Sequence, residues 1–431
     1  GDSSAAIFSA TSGQMVAAIE EERLLRIKHW AGFPARSIRY CLDAVDGGDS
    51  LTDVAISRDP KANLGSKVLR AAFHASLWPS LLSRSRNSLK VGRIEQSFAD
   101  AGIAVPDGVR FHNVEHHRAH LASAFFASPF ERAAIVSVDG FGDFSSVMWG
   151  IGKDNHMEIC GSVRFPHSLG MFYTAFTQFL GFPKYGDEYK MMGLAAYGEP
   201  RYAAAVAELV RTQGTDVVLN LDYFTHHKQG VEMTWEDGEP RMGAIFSSKF
   251  REAFGEPRAP RSEVLAWHTD LAASVQAVLE DNYFALLNAV HKATGEQAVC
   301  LAGGVALNCA ANGKLFDKTP FRDVYIQPAA HDAGTSIGAA LYVQHQVLGR
   351  PRCFQMKHVY YGPKHGSDAV REALDAAGAV YHELDTATLV RKTAQEIAGG
   401  RIVGWFQNDM EFGPRALGNR SILADPRSSE M

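Results

Sequence analysis

The sequence predicts a mixed α/β fold with a duplicated nucleotide-binding architecture. Three junctions carry this prediction, because each places a polar or glycine residue directly after a buried strand pattern or in the turn that follows it. The junctions are Asp139 after residues 133–138, Gly303-Gly304 after residues 298–301, and Asp332 in the turn that follows residues 324–327. Ligands of open α/β sheets collect at the carboxyl ends of the strands. We therefore expect the three junctions to line one site.

The middle junction continues through Gly303 and Gly304 to Asn308, where a helix is predicted to begin. Glycines at such a position let backbone amides approach a phosphate, and a helix N-terminus favours anions. A glycine pair alone is not specific. Three such junctions in one order favour the duplicated fold of actin, sugar kinases and the seventy-kilodalton chaperones.

Composition limits the classes of protein to consider. The chain has 431 residues, of which 46% are hydrophobic and 21% charged, which predicts a globular protein of several domains. A net charge of −5 gives no support to broad nucleic-acid binding. Five scattered cysteines suit a reducing cytosol, so we expect a cytoplasmic protein. Every apolar run is short for a membrane span, and the non-Met start predicts trimmed ends.

The N-terminal part predicts a small layer of strands and helices. Its elements are a hairpin of residues 4–10 and 15–20, a helix over 35–45, a strand over 54–57 and a basic stretch over 61–95. We interpret the charge run from Glu20 to Arg23 as a solvated strand end. The basic stretch is interpreted as a solvated cover helix, with contact to an anionic surface as the alternative.

A helix predicted to begin at His116 carries the first candidate ligands. Residues four apart lie on one helix face, so His116 and His120 can aim their imidazoles at one point, with His117 off that face. Imidazole with a carboxylate such as Asp139 suits a first-row transition metal. The spacing leaves an ordinary alternative open, in which the histidines are satisfied structural residues and Asp139 begins a turn.

The chain beyond Asp139 predicts alternating strands and helices. They are strands over 145–151 and 157–164, a helix from 168 to 180, a helical turn over 194–197, a turn-rich insertion over about 212–262 and an amphipathic helix over 269–294. A boundary is predicted near residues 349–351, followed by helices over 370–377 and 386–399 around strands at 380–381 and 402–406.

The last segment carries Arg415 and Arg420 between glycine and proline turns. Guanidinium groups offer planar forks for phosphate or carboxylate. A rigid surface turn with ordinary ion pairs is the simpler interpretation of this segment taken alone.

Together these segments resemble the ATP-dependent O-carbamoyltransferases of the nodulation and antibiotic-biosynthesis type. The matching stretches are EEERLLRIKHWAGFP (20–34), HHRAHLASAFF (116–126), VSVDGFGD (136–143), SLGMFYTAFTQFLGF (168–182), GDEYKMMGLAAYG (186–198), LAGGVALNCAANGKL (301–315), QPAAHDAGTSIGAAL (327–341) and GWFQNDMEFGPRALGNRSILADPR (404–427). They occur in the family's order and span almost the whole chain. One departure is Gly1 before Asp2, where several relatives have a histidine.

The resemblance implies two domains. Residues 1–350 would form an actin-like carbamoyl-transfer domain, similar to the universal tRNA threonylcarbamoyl transferase. Residues 351–431 would form the N-terminal part of a smaller, YrdC-like α/β domain that continues further in relatives. The implied metal ligands are His116, His120, Asp139 and Asp332, with iron(II) as the expected ion.

The resemblance also implies the reaction. ATP and carbamoyl phosphate would give a carbamoyl-adenylate, from which the carbamoyl group passes to a hydroxyl of a small molecule or glycan in natural-product biosynthesis. The residues implied for activation are Arg415 and Arg420; those implied for transfer are Lys28, Asp139 and Asp332; and those implied for nucleotide contact are Gly303, Gly304 and Asn308. The partners expected are therefore these substrates and a second copy in a homodimer, without nucleic acid or membrane.

Two alternatives stay open. A tRNA-modifying threonylcarbamoyl transferase shares the His-x-x-x-His helix, although the acidic net charge and the second domain speak against it. An actin-like ATP-binding module that transfers nothing would need neither His116 nor His120.

Overall fold

The computed structural model describes residues 2–45, 51–63, 65, 94–229, 233–236 and 239–428. Most of the basic stretch, residues 66–93, lies outside these ranges, so its interpretation as a cover helix stays a prediction. Within the described ranges, each helix is too short or too polar to span a bilayer.

The strands follow one another along the whole chain. They are β1 (Ser4–Phe8), β2 (Met15–Glu20), β3 (Asp53–Ile56), β4 (Arg110–Asn113), β5 (Arg132–Gly142), β6 (Ser145–Lys153), β7 (His156–Arg164), β8 (Val210–Gln213), β9 (Asp216–Leu219), β10 (Met233–Glu236), β11 (Glu239–Met242), β12 (Ala298–Ala302), β13 (Asp323–Ile326), β14 (Val403–Phe406) and β15 (Arg420–Leu423).

Helices alternate with these strands. They are α1 (Glu21–Leu25), α2 (Ala35–Asp43), α3 (Ile94–Asp100), α4 (His116–Phe125), α5 (Leu169–Phe179), α6 (Glu188–Ala195), α7 (Ala203–Ala207), α8 (His226–Gln229), α9 (Ser248–Phe254), α10 (Ala266–Thr294), α11 (Cys309–Asn312), α12 (Leu315–Lys318), α13 (Thr335–Tyr342), α14 (Ser367–Ala376) and α15 (Thr386–Ala398).

A five-stranded mixed sheet forms the centre, in the order β13-β12-β5-β6-β7. β12 runs parallel to both β13 and β5, whereas β5, β6 and β7 form an antiparallel meander. Alternate residues of a strand face opposite sides of a sheet. Ala134 and Val136 accordingly enter the core that contains α5 and α10, while Ala133 and Ile135 enter the core that contains α4 and α13.

The predicted mixed α/β class is therefore confirmed. The N-terminal layer consists of the antiparallel pair β1-β2 and the parallel pair β3-β4. Whether this layer is a second copy of the central unit stays a prediction.

Three local predictions differ from the structure. β5 does not end before Asp139 but runs on to Gly142, with an irregular register between Val138 and Gly142. α6 begins at Glu188, earlier than the predicted turn at 194. The strand predicted at 380–381 is wrong, since these residues have no regular structure and Val380 is 95% exposed. Two apolar residues without a neighbouring strand have no ladder to join.

The insertion has the predicted hairpin character, in the pairs β8-β9 and β10-β11. Beyond it, α10 begins three residues before the predicted start and ends at Thr294, where Gly295 forms the C-cap with a φ of 72°. In the C-terminal segment, α14 and α15 bury no residues. Phe354, Met356 and Phe412 instead anchor this segment in the core beside α4.

Candidate metal centre

The two predicted histidine ligands lie on α4, at the start of a buried helix. Glu115 caps this helix, since its side chain accepts a hydrogen bond from Arg118 N at 2.8 Å. His116 and His120 are 2% and 0% exposed. Their Nε2 atoms lie 3.1 Å apart, as expected for side chains four residues apart on one helix face.

Two carboxylates complete the cluster. Asp139 Oδ2 lies 3.2 Å from His116 Nε2 and 3.6 Å from His120 Nε2. Asp332 Oδ1 lies 3.5 and 3.8 Å from the same two atoms. The structure thus brings together His116, His120, Asp139 and Asp332, whose ligand atoms all lie within 4.8 Å of one another.

These separations suit a bound transition ion. Ligand atoms placed tetrahedrally at about 2.1 Å from an ion lie about 3.4 Å from one another. The separations that involve a histidine range from 3.1 Å (the two histidine Nε2 atoms) to 3.8 Å (His120 to Asp332). Two imidazoles and two carboxylates form a donor set used by first-row metals. The residues present therefore fit a divalent ion.

The two buried carboxylates of the cluster favour a positive charge beside them. Burial opposes the ionisation of Asp139, but contact with His116 and His120 holds its pKa well below the ordinary range. Burial likewise disfavours charged His120, yet the carboxylates of Asp139 and Asp332 outweigh burial and raise its pKa to about 9. A divalent cation would supply this positive charge in place of protons.

His117 lies outside the cluster, as predicted from its helix face. Its Nδ1 is 2.9 Å from Ser137 Oγ, on the adjacent strand. Burial, followed by the nearby His116 and His120, lowers its pKa to about 3, so this imidazole is neutral.

Neighbouring backbone groups orient the ligands. Gly304 N donates to Asp139 Oδ1 at 2.9 Å, which leaves Oδ2 facing the histidines. His116 N donates to Asp143 Oδ2 at 3.0 Å. Sequence reasoning missed this role of Asp143, and the signal was its place at the end of the Asp-Gly-Phe-Gly-Asp run. Metal ligands depend on such outer contacts for their orientation.

Gly142 makes room for the imidazole of His116. A Cβ on Gly142 would lie 1.8 Å from His116 Cδ2, so a larger residue would displace the ring. The irregular stretch of β5 therefore contains the ligand Asp139, and it also contains Gly142, which leaves space for the ring of His116.

The residues predicted to contact a nucleotide form hydrogen bonds within the protein. Gly303 N donates to Ala330 O and Gly304 N donates to Asp139 Oδ1. Gly303 has a φ of 86°, and its Cβ would lie 2.3 Å from Val138 O. Asn308 caps α11 through Ala311 N and exchanges hydrogen bonds with Gln276. Direct nucleotide contact by Gly303, Gly304 or Asn308 stays a prediction.

Lys28 lies on an exposed loop beside a second polar cluster. Its Nζ is 4.9 Å from the centre of the Tyr189 ring. His29, the next residue, has Nδ1 2.6 Å from Asp2 Oδ1 and its backbone N 2.6 Å from Glu22 Oε2. Asp2 Oδ1 also lies 4.0 Å from Nε2 of His331, the neighbour of Asp332. The loop of Lys28 is thus tied to the neighbourhood of the metal centre.

The charge run from Glu20 to Glu22 is not a solvated strand end, which corrects that interpretation. Glu20 and Glu21 are 1% and 2% exposed. Glu21 accepts hydrogen bonds from Arg36 N and Ser37 N at the start of α2. Glu22 holds His29 N, and Glu20 Oε1 accepts a bond from Gly413 N. Each carboxylate therefore fixes a different segment.

The two C-terminal arginines lie against the rest of the protein. Arg415 Nη2 donates to Leu307 O at 2.9 Å, beside the Gly303-Gly304 junction. Arg420 Nε lies 3.9 Å from Glu411 Oε2, and its Nη2 is 3.5 Å from Gly413 O.

The chain matches two protein families. A family described as "Carbamoyltransferase N-terminus" matches residues 53–341, and one described as "Carbamoyltransferase C-terminus" matches residues 394–431. The first match spans the four clustered ligands, and the second contains both arginines.

Several curated relatives resemble the chain. An uncharacterized protein of Synechocystis is 38% identical over 100% of the chain and 70% of its own length. The nodulation protein NolNO of Sinorhizobium fredii is 36% identical over 96% of the chain and 57% of its own length. A 3'-hydroxymethylcephem-O-carbamoyltransferase of Amycolatopsis lactamdurans is 25% identical over 74% of the chain and 55% of its own length. The last two relatives thus extend well beyond the part that the chain matches.

A crystal structure of T. kodakarensis HypF is similar over 61% of the chain and 39% of its own length. Its sequence is 12% identical and the TM-score is 0.30, so this similarity carries no conclusion. The two family matches and the relatives confirm the predicted enzyme class. The chain belongs to the carbamoyltransferase family.

Proposed function

We propose that the protein is an iron(II)-dependent O-carbamoyltransferase that uses ATP and carbamoyl phosphate and acts on a hydroxyl of a small molecule or glycan. The observation that carries the proposal is the cluster of His116, His120, Asp139 and Asp332 in a member of this family. The printed name of the cephem relative describes carbamoylation of a hydroxymethyl group, which supports a small-molecule hydroxyl as acceptor.

The proposed chemistry has two stages. In the first stage, carbamoyl phosphate loses its phosphate as inorganic phosphate, and the resulting carbamate oxygen attacks the α-phosphorus of ATP, so that pyrophosphate leaves and carbamoyl-adenylate forms. In the second stage, the acceptor hydroxyl loses its proton and attacks the carbamoyl carbon, and AMP leaves; one difficult step is thus replaced by two easier ones. When bound, the divalent ion supplies Lewis acidity to a carbonyl or phosphoryl oxygen. Of the protein's own residues, Asp139 is oriented by a hydrogen bond from Gly304 N. Exposed Lys28 offers a positive charge to a substrate phosphate.

The proposed domain organisation follows the same reasoning. Residues 1–350 form the actin-like transfer domain with an insertion at about 212–262, and residues 351–431 belong to a YrdC-like domain. The duplicated fold, the cytoplasmic location and a homodimer are parts of this proposal. In the proposed division of labour, Lys28, Asp139 and Asp332 serve transfer, Arg415 and Arg420 bind phosphate, and Gly303, Gly304 and Asn308 shape the nucleotide site.

Product analysis tests the function. Purified protein is incubated anaerobically with iron(II), ATP, carbamoyl phosphate and a panel of hydroxylated sugars and antibiotics. We expect AMP and pyrophosphate to appear only when carbamoyl phosphate is present, together with a carbamoylated acceptor detected by mass. ATP turnover that is indifferent to carbamoyl phosphate would contradict the proposal.

A further inference from the structure

A clamp joins the end of β2 and α1 to the loop that carries Arg415. Glu20 Oε1 accepts a hydrogen bond from Gly413 N at 2.8 Å, and Arg23 Nη2 donates to Gly413 O at 3.0 Å. Glu20 is 1% exposed, and the side chain of Arg23 is 18% exposed. Both backbone polar groups of Gly413 are therefore held by side chains of this segment, and the guanidinium of Arg23 makes the stronger, charge-assisted kind of hydrogen bond.

The clamped loop also has a rigid interior. Glu411 Oε1 accepts hydrogen bonds from Leu417 N at 2.8 Å and Asn419 N at 2.9 Å, so the loop wraps around one buried carboxylate. Gly413 itself has a φ of 122°, a conformation that favours glycine. The loop can therefore transmit a fixed position from Gly413 to Arg415.

The loop rests on the segments that lead into the proposed active site. The Cβ position of Gly413 faces Pro328 O at 3.4 Å and Ala329 Cβ at 3.5 Å, just before Asp332. Arg415 Nη2 reaches Leu307 O, three residues after Gly304. The clamp thus sets the loop against two of the three junctions that surround the metal centre.

In this position, Arg415 retains hydrogen-bond donors that a ligand can use. A guanidinium has five N–H donors, and among the described residues Arg415 has a hydrogen bond only to Leu307 O. A planar fork of donors suits the oxygens of a phosphate. The location of Arg415 beside the metal-bearing unit makes the phosphate of the carbamoyl-adenylate a suitable partner during transfer.

The clamp buries polar side chains and therefore loses their hydration, which simple attachment of a loop does not require. Buried charged groups lose hydration and need compensating partners, and apolar side chains in their place often give equal or greater stability. Here Arg23 lies 3.6 Å from Glu20 and Arg420 lies 3.9 Å from Glu411, and both arginines approach the backbone oxygen of Gly413. Directional contacts of this kind specify where the loop sits.

We propose that Glu20 and Arg23 are positioning residues, which hold Gly413 so that Arg415 binds the adenylate phosphate at the transfer site. This inference rests on the proposed function. It assigns Arg415 to transfer in addition to the activation step that the family resemblance implies. Glu20 and Arg23 act only through the loop and touch no substrate.

A double-mutant cycle tests the inference. Arg23→Ala, Arg415→Ala and the double variant are assayed with preformed carbamoyl-adenylate, and AMP binding is measured by calorimetry with metal content checked. Each single variant is expected to weaken AMP binding and kcat/KM about tenfold, the loss of one charge-assisted contact. In the Arg415→Ala background, Arg23→Ala should add less than about twofold, because Arg23 acts through Arg415.

Three further variants separate positioning from general stability. Arg401→Ala removes an exposed arginine of the same C-terminal segment, paired with Glu396 at the surface, and should change neither AMP binding nor transfer. Arg23→Lys keeps a donor for Gly413 O and should restore part of the loss. Glu20→Gln keeps an acceptor for Gly413 N and should have a smaller effect than Arg23→Ala.

The inference would be overturned if the fold-losses of Arg23→Ala and Arg415→Ala multiplied in the double variant. Normal AMP binding in both single variants would also overturn it. Failure of the proposed function has a different signature: the wild type would bind AMP but transfer no carbamoyl group from the preformed adenylate. In that case the cycle in AMP binding still decides whether Arg23 acts through Arg415.

Discussion

At the scale of single residues, the metal centre depends on four side chains with distinct supports. His116 and His120 share a helix face, Asp139 is held by Gly304 N, and Asp332 approaches both imidazoles. Because these atoms converge within 4.8 Å, removing one of them should affect the ion more than the fold.

The first prediction concerns His120. His120→Ala removes a ligand and should weaken iron(II) binding by at least about 100-fold, since even outer-shell changes cost 10- to 100-fold. Competition titration with a metal indicator measures the loss. His112→Ala is the matched control, because His112 pairs with Asp53 away from the cluster. Equal affinities of wild type and His120→Ala would remove His120 from the ligand set.

The second prediction concerns pH. In the metal-free protein, burial opposes the charge on His120, but Asp139 and Asp332 raise its pKa to about 9. Because the folded pKa lies above the ordinary value of about 6.5, His120 stabilises the metal-free fold most below pH 6.5 and loses this contribution as pH rises through 9.

An ion must displace that proton from His120. Metal affinity should therefore rise about tenfold per pH unit between pH 7 and 9, as titrations at pH 7, 8 and 9 would reveal. An affinity that stays constant over this range would show that His120 carries no displaceable proton.

At the scale of elements, the irregular end of β5 shapes the centre. The parallel ladder with β12 extends to Ser137, and the strand then loses its regular register before Gly142. This break turns Asp139 toward α4 and leaves space for His116. A regular strand through the same residues would alternate faces and could not serve both purposes.

The third prediction tests this element with two glycines of β5. Gly142→Ala should destabilise the fold by about 1–3 kcal/mol through overpacking, and should weaken metal binding, because its Cβ would meet the His116 ring. Gly140→Ala is the control, since its Cβ would have no neighbour within 4 Å. Denaturant unfolding and metal titration measure the two effects. A Gly142→Ala variant as tolerant as Gly140→Ala would contradict the packing argument.

The fourth prediction concerns Glu20 at the end of β2. Burial raises the pKa of Glu20 from 4.5 to about 7, although Arg23 opposes the change. Since the folded pKa is the higher one, the stabilising contribution is complete below about pH 4.5 and is lost as pH rises through 7. The loss amounts to about 3 kcal/mol at most.

Comparison with Glu20→Gln isolates this contribution. The unfolding free energy of the wild type should fall relative to that of the variant between pH 4.5 and 8, as urea titrations would record. Parallel pH profiles for the two proteins would show that Glu20 ionises normally in the fold.

At the scale of the whole molecule, local patterns predicted much of the structure. The amphipathic α10, the N-terminal hairpin and the buried strands β5 and β12 follow from periodicity that each segment carries alone. His116 and His120 were predictable for the same reason, because helix spacing is local. The rule that ligands gather at strand ends placed Asp139 and Asp332 at junctions of the sheet, while the family resemblance implied that Asp332 joins the histidines as a ligand.

Other features depend on partners far away in the sequence. Glu20 and Gly413 are 393 residues apart, and nothing in the Glu20 segment indicates such a contact. The register break at Asp139 depends on β6, and the absence of a strand at 380–381 depends on missing neighbours within the described residues. Local propensity does not encode these long-range conditions.

Metal analysis joined to an activity assay tests most directly whether the His/Asp cluster holds the iron that transfer requires. Wild type and His120→Ala are reconstituted anaerobically with iron(II), desalted, and assayed for iron content and for carbamoyl transfer to a hydroxyl acceptor. We expect stoichiometric iron and carbamoyl transfer in the wild type, and loss of both in His120→Ala. A wild type that retains no transition metal, or that transfers carbamoyl groups equally well without one, would contradict the central claim.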